Sequence, residues 1–225
     1  MTAWLIDLVL PRRCVSCGRS ADGLCCSCFE TLRLLGPPLC ARCGAPTAWP
    51  VERCRECSGR RLAFASARAA VAYGGPARPF VRAWKEHGLR RLTGIAAELV
   101  TDRIERPEAD LIAAIPPDAV RQLRRGTHPA ELLTLELSRR WEIELVGPLR
   151  RRRSVAQQAH LRSDERRRNV RGAFEAVERC RGRVVVVDDV YTTGATAAAA
   201  ATALRAAGAA SVQVITLARA VRSGL

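Results

Sequence analysis

The chain has 225 residues and 48% hydrophobic content, enough for one full domain plus a small appendage, and no apolar run in it approaches the length of a membrane span, ~18 residues. Its formal net charge of +15 and pI near 10.7 point to polyanionic partners, nucleic acid above all. All but one of the 37 basic residues are Arg, which together with abundant Ala reflects G+C-rich coding; that bias accounts for Arg in place of Lys but not for the excess of positive charge.

The opening MTAWLIDLVLP is apolar, yet no basic region precedes it and no small-residue cleavage site follows. It reads as an amphipathic helix lying on the protein, and a cytoplasmic location is expected. Nine of the ten cysteines then fall within the first sixty residues, in four CxxC knuckles: Cys14/Cys17, Cys25/Cys28, Cys40/Cys43 and Cys54/Cys57. Each tight turn presents two sulfurs to one side, and two such turns complete the tetrahedron that Zn2+ requires. Eight ligands make two structural zinc sites. Consecutive grouping, with Cys14, Cys17, Cys25 and Cys28 on one ion and Cys40, Cys43, Cys54 and Cys57 on the other, is favoured over an interleaved cross-brace. Disulfides do not suit a chain without an export signal, and a thioredoxin-like redox motif would not occur four times in so short a segment. Cys26 reads as a bystander and Cys180 as a small apolar residue. The division expected is a double zinc-ribbon module with its N-terminal helix over residues 1–60 and a second domain over 61–225. Replacing Cys40 and Cys43 with Ser should unfold one lobe and leave ligand binding in the second domain largely intact.

Beyond the SGRR of Ser58 to Arg61, the segment Ala65 to Tyr73 is small and apolar and reads as a strand stopped by Gly74-Gly75-Pro76. Helical periodicity follows in Pro79 to His87 and in Leu89 to Ile104, then a second strand over Asp110 to Ile115 ended by Pro116-Pro117. Arg121, Arg124, Arg125 and Gly126 form a basic loop before a helix over Ala130 to Trp141, and Glu142 to Val146 reads as a third strand. The most basic stretch runs from Leu149 to Phe174 and has the polarity of a long mobile loop or helical hairpin, of the kind that closes over a phosphorylated substrate. Its arginines, Arg150, Arg151, Arg152, Arg153, Arg166, Arg167, Arg168 and Arg171, are candidates to track a nucleic-acid backbone.

Val184 to Thr196, VVVVDDVYTTGAT, organises the rest. A Val run too short for a helix is a strand buried on both faces, expected to end at the two carboxylates. The loop leaving the carboxyl end of a central parallel strand is where ligands bind, and the Ala-rich helix after Gly194 offers its N-terminus to an anion. Asp188 and Asp189 can accept hydrogen bonds from vicinal hydroxyls or help to hold hydrated Mg2+, while Thr192, Thr193, Thr196 and the backbone around Gly194 can surround a phosphate. The last strand is Ser211 to Ala218. Strands alternating with helices imply a parallel sheet.

The thirteen positions of that stretch resemble the phosphoribosyl pyrophosphate (PRPP) motif of type I phosphoribosyltransferases: apolar strand, two acidic residues, two apolar residues, then Thr-Thr-Gly-x-Thr. The chain as a whole resembles the ComF family. The likeness rests on the apolar start ending in Pro11 and Cys14, the knuckles, AWKEHG around Lys85, Arg125-Gly126, the segment Gln158 to Phe174 with Arg166, Asn169 and Gly172-Ala173-Phe174, and the PRPP motif. The resemblance implies a type I phosphoribosyltransferase-like α/β domain behind a double zinc ribbon. It further implies binding of PRPP or a related ribose phosphate with Mg2+ at Asp188, Asp189, Val190, Tyr191, Thr192, Thr193, Gly194, Ala195 and Thr196, with Lys85, Arg121, Arg124 and Arg125 on the pyrophosphate side. The role implied is in natural competence and DNA uptake, with single-stranded DNA and a helicase or other uptake protein as partners. The family motif reads Arg-Gly-Phe-Asn-Gln where this chain has Arg125, Gly126, Thr127, His128 and Pro129, so an aromatic and two amides are lost. Two readings stay open: a phosphoribosyltransferase, or a non-enzymatic DNA-binding or adaptor protein with a vestigial or regulatory PRPP site.

Overall fold

The computed structural model describes residues 12–86, 88–117, 128–152 and 172–221. The expected helix over residues 1–11, together with Arg121, Arg124, Arg125, Arg153, Arg166, Arg167, Arg168 and Arg171, lies outside them. Among the described residues no helix is long and apolar enough to cross a membrane.

The elements in chain order are α1 (Cys26–Glu30), β1 (Ser66–Ala72), α2 (Ala77–Glu86), α3 (Leu92–Arg103), β2 (Leu111–Ala114), α4 (Pro129–Trp141), β3 (Glu144–Leu145), β4 (Leu149–Arg151), β5 (Phe174–Ala176), β6 (Arg183–Tyr191), α5 (Ala195–Ala206) and β7 (Ser211–Arg219). Five strands pair in parallel in the order β1-β7-β6-β2-β3. This is the expected α/β architecture, a parallel sheet flanked by helices behind a double zinc ribbon. Parallel neighbours need crossover connections, which the helices supply. Val184, Val185, Val186 and Val187 are all buried because β6 is central and covered on both faces. Val185 and Val187 pack under α2, α3 and α4 through Trp84, Leu92, Leu133 and Leu137. Val184 and Val186 pack on the other face with Ala200, Ala201 and Leu204 of α5.

Two sequence expectations need correction. The central strand does not stop at the carboxylates. It runs to Tyr191, because β7 continues to pair with it through Asp188↔Thr216, Val190↔Ala218 and Tyr191↔Arg219. The ends of the basic stretch are likewise not loop: β4 and β5 form an antiparallel ribbon, with Arg150 opposite Glu175 and Arg151 opposite Phe174.

The zinc ribbons straddle the β1 edge of the sheet. Leu35 N–H donates to Ala70 O at 2.8 Å, Ala72 N–H to Arg33 O at 2.8 Å, and Ala67 N–H to Arg42 O at 3.0 Å, so the chain between the lobes covers an edge that would otherwise invite pairing with another molecule. Val15 and Leu24 of the first lobe pack on the α2–α3–α4 side. The second lobe joins the opposite core, where Cys40, Cys43, Cys57, Leu62 and Phe64 are buried with Val186, Tyr191 and Val214. Gly44 permits this approach: its φ is +68°, and a β-carbon there would stand 2.3 Å from the Ala67 carbonyl oxygen.

Candidate functional site

The sulfurs of Cys14, Cys17, Cys25 and Cys28, and separately those of Cys40, Cys43, Cys54 and Cys57, lie within 4.8 Å of one another in each set. This is the consecutive grouping. Tetrahedral Zn2+ with Zn–S of ~2.3 Å needs sulfurs about 3.8 Å apart. Cys17–Cys25 at 3.5 Å, Cys40–Cys57 at 3.6 Å, Cys43–Cys54 at 3.5 Å and Cys54–Cys57 at 4.0 Å fit that edge. Burial pushes the Cys14 and Cys40 thiols up, but backbone N–H groups from their own knuckles and the facing ones outweigh it and bring them to about 6 and about 7. The sulfur spacing fits both sets as four-cysteine zinc sites. Cys26 stands outside them, exposed, and Cys180 is buried in the sheet core, as expected.

The second constellation lies at the carboxyl end of β6. From β6 the chain crosses through α5 on one face to β7, whereas from β2 it crosses through α4 on the other face to β3. The crossovers diverge between β6 and β2, and such a divergence opens the crevice in which doubly wound sheets bind ligands. The loop after β6 is Thr192, Thr193 and Gly194, and it leads directly into α5. Gly194 adopts φ +71°, and a β-carbon on it would overlap the Tyr191 ring. Thr193 Oγ1 accepts from Ala195 N–H at 3.3 Å, and Ala198 N–H closes the first turn on Gly194 O at 2.9 Å. The remaining N–H groups of that turn are those an α-helix leaves without an intrahelical partner.

Asp188 and Asp189 point to opposite faces of β6, as neighbours on a strand must. Asp189 is 2% exposed and forms an ion pair with Lys85 of α2. Asp188 is half-buried, and its Oδ1 accepts from the Asp189 N–H at 2.9 Å. Burial first, and the Asp189 charge second, push the Asp188 carboxyl up to about 8, against the pull of that N–H and of Lys85. Among the described residues, two carboxylates and one ammonium thus share a site that is short of positive charge. A cation or a set of hydroxyl donors would relieve it. Lys85, expected on the pyrophosphate side, pairs with the Asp189 carboxylate in the ligand-free site.

Two residues passed over in the sequence hold this loop. Arg60 Nη2 donates to Thr193 O at 2.6 Å. Arg219, 1% exposed, donates to Cys43 O, pairs with Glu56 Oε2 at 2.7 Å, and lies 4.8 Å over the Tyr191 ring. Phe64 meets Tyr191 edge-on at 6.3 Å. A stranded Arg at the end of a buried strand is itself a signal, since such a charge demands a partner. Of the basic stretch, Arg150 and Arg152 converge on Glu175 at 2.8 and 3.5 Å, and Arg151 lies 5.1 Å over Phe174.

The model of the double zinc ribbon domain matches residues 5–58. The chain is 31% identical over 211 residues to the DNA utilization protein YhgH of Escherichia coli, covering 88% of this chain and 90% of that protein. It is 30% identical over 226 residues to Competence protein F of Haemophilus influenzae, covering 92% and 97%. Among solved structures, glutamine PRPP amidotransferase from B. subtilis complexed with ADP and GMP is similar to 56% of this chain and 25% of its own, at 26% identity and a TM-score of 0.37.

Proposed function

The chain belongs to the family of Competence protein F and the DNA utilization protein YhgH, and from that premise we propose that it binds PRPP with Mg2+ at the end of β6 and assists the handling of incoming single-stranded DNA in the cytoplasm. The observation that carries the ligand is the pair Asp188 and Asp189, short of positive charge and followed at once by a Thr-Gly loop at a helix N-terminus. The carboxylates receive the ribose hydroxyls. Thr192, Thr193, Thr196 and the N–H groups from Gly194 onward receive the 5′-phosphate. The donor set is oxygen-only and anionic, which suits Mg2+; Asp188 and Asp189 would help to hold that ion, which would supply positive charge to a pyrophosphate leaving group. Lys85 and the arginines that follow β2 in sequence, Arg121, Arg124 and Arg125, are the residues assigned to the pyrophosphate. The zinc ribbons are structural, and the nucleic acid is gripped by charge, through Arg150 to Arg153 and Arg166 to Arg171.

A second reading, a PRPP-binding adaptor without turnover, is favoured by the Thr127, His128 and Pro129 that stand where the family motif has an aromatic and two amides. His128 is the residue before Pro129 at the start of α4. Calorimetry with PRPP, with and without Mg2+, tests the shared claim of binding; release of pyrophosphate from PRPP on adding nucleobases separates the two readings. Binding without release selects the adaptor, and no binding removes both.

A further inference from the structure

The second zinc lobe reaches into the loop after β6, and we propose that Arg60 is a positioning residue for the phosphate, turning the Thr193–Gly194 peptide so that its N–H faces the bound anion. The proposal rests on the reading of this loop as a phosphate site. It follows from peptide planarity: in a trans peptide the carbonyl and the N–H point in opposite directions. Arg60, donating to Thr193 O at 2.6 Å, fixes that carbonyl toward the ribbon. The Gly194 N–H is thereby fixed away from the ribbon. Gly194 has no side chain to hold it and sits at φ +71°, so without an anchor this peptide is the one most free to turn. A cationic donor on the carbonyl also polarises the amide and strengthens its N–H as a donor.

The anchor is itself anchored by zinc ligands. Arg60 N–H donates to the carbonyl of Cys57 at 3.2 Å, and Arg53 Nη1 donates to the Arg60 carbonyl at 3.2 Å. Glu56, beside Cys57, holds Arg219 at 2.7 Å, and Arg219 stacks on Tyr191, whose ring fills the space a side chain at position 194 would need. One knuckle, residues 54 to 60, therefore grips the loop at both ends: at Thr193 directly and at Tyr191 through Arg219.

The test uses the full-length, zinc-loaded chain labelled with 15N-glycine, as the parent and as Arg60→Ala and Arg60→Lys. Three quantities are read: zinc content, the amide resonance and hydrogen exchange of Gly194 without ligand, and PRPP affinity by calorimetry. The expectation for Arg60→Ala is two zincs retained, a shifted and less protected Gly194 amide, and PRPP binding weakened about tenfold, the loss of one charge-assisted contact's ordering effect, with Lys restoring part of it. An unchanged Gly194 amide together with parental PRPP affinity overturns the proposal. So does a loss of PRPP binding that tracks loss of zinc equally in the Ala and Lys variants, which would make Arg60 merely structural. A parent that binds no PRPP removes the ribose-phosphate reading, and the Gly194 amide then decides the positioning claim alone.

Discussion

Asp188→Asn should stabilise the ligand-free protein, and increasingly so as pH rises. In the folded chain, burial and the Asp189 carboxylate push the Asp188 carboxyl from an ordinary 3.8 to about 8. The folded state therefore holds a proton that the unfolded state releases between those values, and this group's contribution to stability falls as pH rises through that window. Above about pH 8 both states are ionised and the penalty stays constant. A shift of roughly four units, at about 1.4 kcal/mol per unit, sets a ceiling of about 6 kcal/mol. The part of this that develops between pH 5.5 and 8 is at most about 3 kcal/mol, and since Asp188 keeps some contact with water about 2 kcal/mol of growth is expected over that range, or about 4–8 °C in melting temperature for a chain of this size. The assay is thermal unfolding of parent and variant side by side from pH 5.5 to 8.5. Their zinc sites are the same, so cysteine protonation cancels in the difference. The variant's advantage should be smallest at the acid end, grow up to about pH 8, and shrink when Mg2+ is added to the parent. A difference that does not change with pH would refute the claim that the Asp188 carboxylate is ionised at a cost.

Elemental analysis should find two zincs per chain, and Cys40→Ser with Cys43→Ser should remove one. Because that lobe carries Arg60 and Glu56, the pair of substitutions should also weaken PRPP binding, against the independence expected from sequence alone. Arg219→Met keeps most of the side chain's volume but strands Glu56 and the Cys43 carbonyl, so a loss of about 2–4 kcal/mol is expected in thermal unfolding; a change below 1 would show the cluster to be incidental. Binding to single-stranded DNA of unrelated sequences should fall steeply between low and moderate salt, and Arg166→Ala, Arg167→Ala and Arg168→Ala together should weaken all sequences alike, as read by fluorescence anisotropy.

The parts legible in the sequence are those whose physics is local. Four Val in a row cannot be an amphipathic helix, CxxC spacing presents two sulfurs to one side, and Gly194 marks a loop entering a helix. What escaped is what only long-range contact decides. Tyr191 and Arg219 are neighbours because β6 and β7 pair in register, and that pairing carries the strand past two carboxylates that looked like its end. Arg60 meets Thr193 across 133 residues of chain, and Arg219 meets Glu56 across 163, so neither pair leaves a periodicity or a motif to read. The β4–β5 ribbon was hidden by composition: a run of Arg reads as solvated until Glu175, 25 residues away from Arg150, is set opposite it. Lys85 stands out as the chain's only lysine, but its attachment to Asp189 depends on how α2 packs over β6.

The most direct test of the ligand claim replaces both carboxylates, Asp188→Asn and Asp189→Asn, which keeps their shape and removes their charge. PRPP affinity is measured by calorimetry in Mg2+ for parent and double variant, with the melting temperature of each as a control for folding. A charge-assisted hydrogen bond contributes about 1.5 to 3 kcal/mol, so the loss of even one such contact should weaken binding by roughly tenfold or more; the melting temperature sets relief of the carboxylate repulsion against the stranding of Lys85, and binding is compared where both proteins are folded. A double variant that binds PRPP as tightly as the parent would contradict the account.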